Sequence, residues 1–551
     1  MEYTSINKVF EESFKKNWDR PAISNYQGVT LHYRDVARRI EKMHIIFEEC
    51  GLQHGDKVAI CSRNQANWAV SFLSAMTYGA VPVPLLHEFK SSNIHHLVNH
   101  SEAKILFVDD VIWEGLTETE MPDLHAIIQV NTFKLLYAKD EKITAAREHL
   151  NELFGRKYPN VFTPEDLNYY EDKADELAII NYTSGTSGFS KGVMIPYRAV
   201  RSNIQFANEV LPGLDNTKSV ISMLPSAHMY GLMFELLYEL SVGAHVHFLS
   251  RVPSPKIIMQ ALAEVKPYII VAVPLVIEKI YKTKVKPILE KEGIKLLMRL
   301  PLLNQVVLNK IRTELINAFG GEFHEVIIGG AAFNKDVEAF FKKINFPFTV
   351  GYGMTECGPI ISYDDWSVEK LYSCGKAVVN MEIRIDSANP SEIPGEIQVK
   401  GANVFLGYFK NEEATKAVFT EDGWFRTGDM GILDTDGSLF IKGRTKCMIL
   451  GPSGQNIYPE EVETVINSQQ YVVDSLVVED NGGLTALIYP DFPQGARDGI
   501  TQDAFVKHIE GMLTDLNKEL PNYAKLKKIE VMSEDFERTP KKSIKRYLYQ
   551  R

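Results

Sequence analysis

The chain has 551 residues, of which 45% are hydrophobic and 24% charged, and these ordinary globular proportions argue against disorder, collagen and coiled coil. Its formal net charge of −11 argues against a general nucleic-acid partner, because affinity for phosphate backbones comes from clustered Lys and Arg. The most apolar run, 268–277, is half the length of about 20 residues that a membrane-spanning helix needs.

The first residues include acidic side chains and no apolar block, which predicts that they are not a secretory signal. The five cysteines have no CxxC spacing, so neither a disulfide scaffold nor a zinc ribbon is expected. We therefore expect a cytoplasmic, multidomain enzyme without a transmembrane segment. Peripheral contact with a membrane surface and the oligomeric state stay open.

Helical and extended patterns alternate from the start of the chain. The spacing predicts helices over 31–50 and 68–78, and short buried strands over 57–61, 80–84 and 104–108. Strands that alternate with helices predict parallel βαβ units, and hence an α/β fold with a doubly wound sheet.

The predicted secondary-structure pattern changes twice more along the chain. A strand over 177–182 precedes a loop rich in Gly, Ser and Thr and a helix from about 197. Short strands and Gly-rich turns predict a β-rich subdomain over about 381–444. We place the main boundary there, between a large domain over 1–444 and a small α+β domain over 445–551 that ends in a basic tail.

The loop after the strand 177–182 reads TSGTSGFSKG. Glycines let backbone N–H groups turn toward an anion, hydroxyl groups add donors and lysine adds charge, which together suit a phosphate cradle. The loop is not a Walker A sequence, because Ser190 stands where the second glycine is required, and it also lacks the GxGxxG pattern. The alternative is an ordinary flexible surface loop.

The full string YTSGTSGxxKG resembles the signature loop of the adenylate-forming family, which includes acyl-CoA synthetases and luciferases. The resemblance implies that this loop holds the β and γ phosphates of ATP, with Thr183 also near the metal. The residues concerned are Thr183, Ser184, Gly185, Thr186, Ser187, Gly188 and Lys191.

Two further segments resemble the family in the expected order. The segment 224–231 is similar to LPxxHxxG, which implies that His228 lines the acyl pocket; the alternative is a core histidine. The turn 329–332 resembles the segment that borders adenine, or it is a plain strand-to-helix turn. The residues implied at adenine are Gly330, Ala331 and Ala332.

The segment 351–356 resembles the family's YGMTE element. It implies that the tyrosine stacks on adenine, the threonine contacts phosphate and the glutamate coordinates Mg2+. An aromatic face suits a purine, and a carboxylate suits a magnesium ion that also binds phosphate. The residues are Gly351, Tyr352, Gly353, Met354, Thr355 and Glu356.

The last segments lie near the predicted domain boundary. In the WFRTGD element, Asp429 is implied to bind both ribose hydroxyls, and Arg444 to face the ribose. Lys446 is implied to be the interdomain hinge. With the GQNIYPEE segment 454–461, the resemblance covers essentially the whole chain.

The family joins a carboxylic acid to a thiol in two half-reactions, so the resemblance implies ATP, Mg2+ and coenzyme A. The helical pattern over 273–312 is similar to long-chain acyl-CoA synthetases, which favours a medium- or long-chain fatty acid; by periodicity alone it is an amphipathic helical pair. The residues implied in catalysis are Lys191, His228, Thr355, Glu356, Lys446, Lys541 and Lys542.

One departure concerns the family's C-terminal loop, PKTxxGKIxR. Ser543 stands where the family has the lysine that bridges the acyl carboxylate and the α-phosphate. We predict that Lys541 or Lys542 compensates, and Lys545 lies on the same face of an extended loop. The alternatives are a fatty acyl-AMP ligase that loads a carrier-protein thiol and an adenylate-binding protein with impaired catalysis.

Overall fold

The computed structural model describes residues 4–183, 190–249, 255–450, 456–480, 482–539 and 543–551. The first part, up to Thr183, alternates helices and strands. Its helices are α1 Ile6–Lys16, α2 Tyr33–Glu49, α3 Ala66–Tyr78, α4 Ser91–Ser101, α5 Asp110–Trp113, α6 Glu141–Glu148 and α7 Leu150–Lys157. Its strands are β1 Pro21–Asn25, β2 Thr30–His32, β3 Lys57–Cys61, β4 Val81–Leu85, β5 Ala103–Val108, β6 Ala126–Gln129, β7 Leu135–Ala138 and β8 Leu177–Thr183.

A five-stranded sheet forms in this part, in the order β4-β3-β5-β6-β7. All neighbouring strands in it are parallel except β7, which runs antiparallel to β6. Such strands are apolar on both faces because helices cover the sheet, and Val58, Ala59 and Ile60 of β3 are fully buried. Gly79 ends α3 in the left-handed conformation, with φ +87°, so that the chain can turn into β4.

The second part, from Lys191 to Val350, repeats the alternation. Its strands are β9 Lys191–Pro196, β10 Ser219–Ser222, β11 His245–Phe248, β12 Ile269–Ala272, β13 Glu325–Ile328 and β14 Phe348–Val350. Its helices are α8 Tyr197–Val210, α9 Met229–Leu232, α10 Tyr238–Val242, α11 Pro255–Val265, α12 Pro274–Ile280, α13 Lys286–Leu289, α14 Glu292–Met298, α15 Pro301–Ala318 and α16 Lys335–Lys343. Single π-helical turns, Met233–Leu237 and Tyr281–Val285, continue α9 and α12.

Two sheets of this part matter for the site. Strands β12, β13 and β14 are parallel neighbours, so the turns that follow them emerge at one edge. Strands β8 and β9 are antiparallel neighbours, and a short strand from much later in the chain, Gly407–Tyr408, pairs with β9.

The next part is rich in short strands. It contains β15 Tyr352–Gly353, β16 Ile360–Tyr363, β17 Lys376–Ala377, β18 Met381–Asp386, β19 Gly395–Gly401, β20 Gly407–Tyr408, helix α17 Glu412–Ala417, β21 Phe425–Leu433 and β22 Leu439–Arg444. Strands β18, β19, β21 and β22 form an antiparallel sheet in that order. The strands next to β20 along the chain belong to this antiparallel sheet, whereas β20 itself pairs with β9 of the preceding part.

The C-terminal part has a core of its own around Ile466, Ala486 and Ile509. It contains β23 Ile449–Leu450, β24 Asn456–Ile457, α18 Pro459–Asn467, β25 Val472–Asp480, β26 Gly483–Pro490, α19 Phe492–Arg497, α20 Gln502–Gly511, α21 Leu513–Glu519 and β27 Leu526–Val531. Strands β25 and β26 are antiparallel, and β27 is parallel to β26.

The predicted fold class is therefore confirmed: α/β units with parallel sheets, a β-rich part and a small α+β C-terminal part. The boundary that we place near 445 falls between β22 and the turn Thr445–Cys447, and it stays a prediction. In the described ranges, no helix has both the length and the apolar character that crossing a bilayer requires.

Candidate active site

The hairpin of β8 and β9 presents the predicted phosphate loop. Thr183, the last residue of β8, pairs with Lys191, the first residue of β9, and its Oγ1 lies 3.5 Å from the Lys191 carbonyl oxygen. The predicted loop residues between these two strand ends lie outside the described residues, so their predicted roles stay predictions. They are Ser184, Gly185, Thr186, Ser187 and Gly188.

Lys191 and Glu356 are brought together by a third residue, Tyr408. The Lys191 Nζ lies 4.6 Å from the centroid of the Tyr408 ring, within the range of a cation–π contact. The Tyr408 hydroxyl donates a hydrogen bond to Glu356 Oε1 at 3.0 Å. Burial, followed by the charge of Glu356, raises the pKa of Tyr408, so the phenol stays protonated and donating.

Tyr408 is a site residue that the sequence did not single out. It lies in β20, where it pairs with Val193 two residues after Lys191 in β9. In the sequence it is one aromatic residue in the apolar run VFLGYF, which is typical of a core segment. Only the pairing of two strands that are distant in sequence places it between the lysine and the glutamate.

The segment after β14 carries Tyr352, Thr355 and Glu356. Gly353 is required there, because a Cβ at this position would lie 2.2 Å from the Pro359 carbonyl oxygen. The chain then enters a short 3-10 turn, Thr355–Cys357, in which the Glu356 side chain is buried. Backbone hydrogen bonds fix both ends of this segment: the Gly351 N–H donates to the Ile328 carbonyl oxygen of β13, and the Glu356 carbonyl oxygen accepts from the Phe405 N–H, shortly before β20. Met354 and Thr355 lie between these two contacts.

Tyr352 also connects this segment to the ribose residues that were predicted. Its hydroxyl donates to Asp429 Oδ2 at 2.7 Å, while Arg444 Nε lies 3.5 Å from Asp429 Oδ1. Asp429 and Arg444 are direct partners across β21 and β22, which explains their proximity. Burial raises the pKa of the Asp429 carboxyl, and the charge of Arg444 and the Tyr352 hydrogen bond oppose that shift. The Tyr352 side chain is itself buried, and its hydroxyl group is satisfied by the hydrogen bond to Asp429.

The turn after β13 lies at the same edge of the sheet. Gly329 is buried, and a Cβ there would lie 3.2 Å from the Tyr230 ring, so the turn packs closely on that ring. The Tyr230 hydroxyl donates to the Ile327 carbonyl oxygen at 3.0 Å. Gly330, with φ +86°, turns the chain outward, and the predicted adenine-side residues at the turn are exposed: Gly330, Ala331 and Ala332.

His228 lies half-buried immediately before α9, in a loop that buried polar groups hold in place. Asn64 donates to the Leu224 carbonyl oxygen at 2.5 Å and accepts from the Ser226 N–H at 2.8 Å. Asn181 of β8 donates to the Ala227 carbonyl oxygen at 2.8 Å. The loop that carries His228 is therefore attached to the strand that leads into the phosphate loop.

Glu235 gives this loop a second support. The carboxylate accepts hydrogen bonds from the Met223 and Leu224 N–H groups at 3.0 and 2.9 Å and from the Ser222 hydroxyl. Complete burial raises the pKa of Glu235, and those hydrogen bonds oppose the shift.

The C-terminal residues differ in their surroundings. Lys446 lies exposed in the turn Thr445–Cys447 between β22 and β23. Ser543 is exposed on a hairpin in which Arg538 pairs with Ile544 and the Thr539 N–H donates to the Ser543 carbonyl oxygen at 2.8 Å. Lys541 and Lys542 lie outside the described residues, so their predicted compensation stays a prediction.

The cationic side chains of the basic tail that the structure describes are paired with carboxylates of the protein, which leaves them less available to bind an anionic ligand. They lie within hydrogen-bond distance of carboxylates: Arg538 with Asp474 and Asp535, Lys545 with Glu537, Arg546 with Glu463, and Arg551 with Asp480 and Glu530. Lys545 Nζ is 3.1 Å from Glu537 Oε2, so it would have to leave this exposed ion pair to replace the missing lysine.

Comparison with known proteins identifies the family. Residues 10–409 match the family described as AMP-binding enzyme, and residues 448–551 match the AMP-binding enzyme C-terminal domain. The chain belongs to the AMP-binding enzyme family. The predicted adenylate-forming superfamily and the predicted class of enzyme, an acid–thiol ligase, are therefore confirmed.

Curated relatives match along most of the chain. The long-chain-fatty-acid–CoA ligase ACSBG2 of Rattus norvegicus is 26% identical over 526 residues, covering 88% of this chain and 76% of its own length. The long-chain-fatty-acid–CoA ligase 1 of Saccharomyces cerevisiae is 28% identical over 521 residues, covering 85% of this chain and 73% of its own length.

Solved structures share the fold. ATP-bound MatB from Rhodopseudomonas palustris matches with a TM-score of 0.77 at 24% identity, over 99% of this chain and 98% of its own. The anthranilate CoA ligase AuaEII in complex with anthranoyl-AMP matches with a TM-score of 0.79 at 18% identity, over 99% of this chain and 96% of its own. At these identities the likeness concerns the fold.

Proposed function

We propose that this protein uses ATP to activate a medium- or long-chain fatty acid and transfers the acyl group to coenzyme A. The observation that carries the proposal is that the segment 352–356 connects Lys191, Glu356 and Asp429. Tyr408 contacts both Lys191 and Glu356, and Tyr352 donates to Asp429. The names of the curated relatives support the choice of a fatty acid and of coenzyme A. Five free cysteines fit the cytoplasm as the compartment.

In the first half-reaction, a carboxylate oxygen attacks the α-phosphorus of ATP, and pyrophosphate leaves as the acyl adenylate forms. Lys191 and the loop after Thr183 would hold the β and γ phosphates, while Asp429 and Arg444 would hold the ribose. Such chemistry depends on positioning and on neutralising charge, rather than on a protein nucleophile. We assign the acyl carboxylate to the His228 side of the site.

Magnesium fits the donor set at Glu356. Its buried carboxylate is a hard oxygen ligand of the kind that Mg2+ prefers when it also binds phosphate. Glu356 would hold the ion together with Thr183 at the end of β8. A bound magnesium ion would neutralise phosphate charge.

In the second half-reaction, the thiol of coenzyme A attacks the acyl carbonyl, and AMP leaves. We propose that the C-terminal domain, residues 445–551, moves about Lys446 between the two steps. The exposure of Lys446 in a short turn between two strands supports this, because few contacts would break. We further propose that Lys541 or Lys542 supplies the charge that Ser543 lacks in the first step.

The choice of acid follows from the segment after β12. Helices α12 to α15 emerge at the same sheet edge as the turn 329–332, and the Asn334 N–H donates to Glu278 Oε1 of α12 at 3.0 Å. The segment is therefore attached to the chain just after the turn 329–332, beside the proposed site. Its resemblance to long-chain enzymes favours a long acyl chain.

The test is a panel of straight-chain acids from two to eighteen carbons with ATP and Mg2+, with coenzyme A and a carrier protein as separate acceptors. We expect AMP, pyrophosphate and acyl-CoA in equal amounts from the longer acids. Acyl transfer to the carrier protein alone would favour the acyl-AMP ligase. ATP binding without pyrophosphate exchange for any acid would contradict the proposal and favour an adenylate-binding protein.

A further inference from the structure

Exposed apolar side chains concentrate in the segment formed by α14 and the start of α15. Leu296, Leu300, Leu303 and Val306 have between 43% and 63% of their surface exposed. Scattered exposed leucines need no explanation, but a contiguous group of them marks an interaction surface. We call these four residues the apolar patch.

The helical register separates the patch from the core. On α15, the residues Leu308, Ile311 and Leu315 recur at helical spacing and are buried in a hydrophobic core formed by residues of the second part, such as Val326 and Phe341. Leu303 and Val306 lie three residues apart on the other side of the helix, with Lys310 one turn further along. One side of α15 is therefore buried in the core, and the side that carries Leu303 and Val306 is exposed to solvent.

The segment that carries the patch is basic along its sequence, although Lys295 also pairs with Glu292, at 2.8 Å. Residues 282–312 include eight Lys or Arg residues and two Glu residues, a net charge of +6 in a chain whose total is −11. Lys291, Lys295 and Arg299 are exposed and flank Leu296 and Leu300. Apolar residues with cations beside them are the composition of helices that lie in the headgroup region of a bilayer.

We propose that the apolar patch and its cations dock the protein on an anionic lipid surface. The leucines would enter the headgroup and acyl boundary, and the lysines and arginine would meet lipid phosphates. Charge favours lipid over a second copy of the chain, because a symmetric contact would bring two positively charged surfaces together. The inference does not depend on the proposed reaction, although a membrane is also where a long-chain fatty acid resides.

The test is co-sedimentation of the full chain with vesicles of phosphatidylcholine alone and of phosphatidylcholine with 30% phosphatidylglycerol. We expect binding to the anionic vesicles to be about tenfold stronger or more, and to weaken as salt is raised. Binding that is equal on both vesicles, or absent from both, would overturn the proposal.

Two variants locate the surface. One carries Leu296→Ser, Leu300→Ser, Leu303→Ser and Val306→Ser, and the other Lys291→Glu, Lys295→Glu and Arg299→Glu. Each should lose about tenfold or more in affinity for the anionic vesicles.

Control variants replace the same number of exposed side chains elsewhere: the apolar residues in Val29→Ser, Val161→Ser, Val368→Ser and Ile393→Ser, or the cations in Lys416→Glu, Lys507→Glu and Lys518→Glu. These should bind as the parent does, although the second has the same net charge as the charge-reversed variant. Equal losses of vesicle binding in the controls and the patch variants would overturn the assignment of the surface. It would also be overturned if the patch variant bound vesicles as the parent does and changed only from a dimer to a monomer. Thermal unfolding shows whether each variant is folded, and the assay needs no turnover, so its result is independent of the proposed ligase activity.

Discussion

The nucleotide side of the site and the C-terminal hairpin around Ser543 are held in place by different interactions. Glu356 is buried and Asp429 is partly buried, and each accepts a hydrogen bond from a tyrosine distant in sequence. The hairpin lies at the surface, where Lys545 pairs with Glu537 and Ser543 is exposed. Buried groups fix geometry before a ligand arrives, whereas exposed ion pairs contribute little and can be exchanged.

This contrast predicts that substitutions on the nucleotide side affect chemistry most. Glu356→Gln keeps the shape and removes the charge, so we expect pyrophosphate exchange to fall about a hundredfold or more, the scale of losing metal-assisted charge stabilisation. The measurement is ATP–pyrophosphate exchange with a long-chain acid at saturating Mg2+.

Glu325→Gln is the matched control, because Glu325 is also buried and accepts a hydrogen bond from a tyrosine, Tyr363, but lies outside the predicted site. Its exchange rate should stay close to that of the parent. A similar loss of pyrophosphate exchange in both variants would mean that removing any buried carboxylate slows the reaction, and that Glu356 has no special role in the site.

In the described residues of the C-terminal part, the partly buried Arg546 pairs with the buried Glu463, and this ion pair should behave differently from the exposed pair of Lys545 and Glu537. Arg546 donates to both oxygens of Glu463 at 2.9 and 2.7 Å. Arg546→Met leaves that carboxylate buried without its cation, and we expect the free energy of unfolding to fall by about 2 kcal/mol, less than for a fully buried pair. Lys545→Met, which breaks the exposed pair with Glu537, should leave the unfolding free energy nearly unchanged.

The pH dependence of the Arg546→Met variant provides an independent measurement. Burial raises the pKa of Glu463, and Arg546 opposes that shift, so removing Arg546 raises the pKa further. A raised folded-state pKa gives stability that is lost as pH rises, so the defect should be larger at pH 8 than at pH 5. Denaturant unfolding at both pH values measures it, and an equal defect at both would contradict this account.

The missing lysine gives a prediction on the hairpin itself. If a neighbour replaces the charge that Ser543 lacks, Lys541→Ala or Lys542→Ala should slow pyrophosphate exchange about 10- to 100-fold. Adding Ser543→Lys to the slower variant should restore the rate. Thioester formation from a supplied acyl adenylate should change little in either variant, which separates the first half-reaction from the second. If neither alanine variant is slower, the compensation is wrong.

Local patterns predicted much of this molecule, because strands, helices and short motifs are properties of neighbouring residues. The alternation of strands and helices is confirmed, whereas the roles predicted for the phosphate loop and the YGMTE segment stay predictions. Partners from distant parts of the chain were not predicted in this way. Tyr408 reaches Glu356 because β20 pairs with β9, and Asn64 holds the His228 loop from the first part of the chain. Similarly, the sequence shows that the tail is basic, but it does not indicate that Arg546 pairs with Glu463.

Substitution of Tyr408 should have the smallest of these effects on pyrophosphate exchange. It gives the most specific test, because the two contacts of Tyr408 can be removed separately. Tyr408→Phe keeps the ring beneath Lys191 and removes the hydrogen bond to Glu356, so we expect about a tenfold loss of pyrophosphate exchange. Tyr408→Leu also removes the cation–π contact and should lose several-fold more. Because Glu356 is the proposed magnesium ligand, both variants should need more Mg2+ for half-maximal exchange, which a purely structural role would not produce. Tyr363→Phe removes the matching hydrogen bond to Glu325, and its Mg2+ requirement should stay that of the parent.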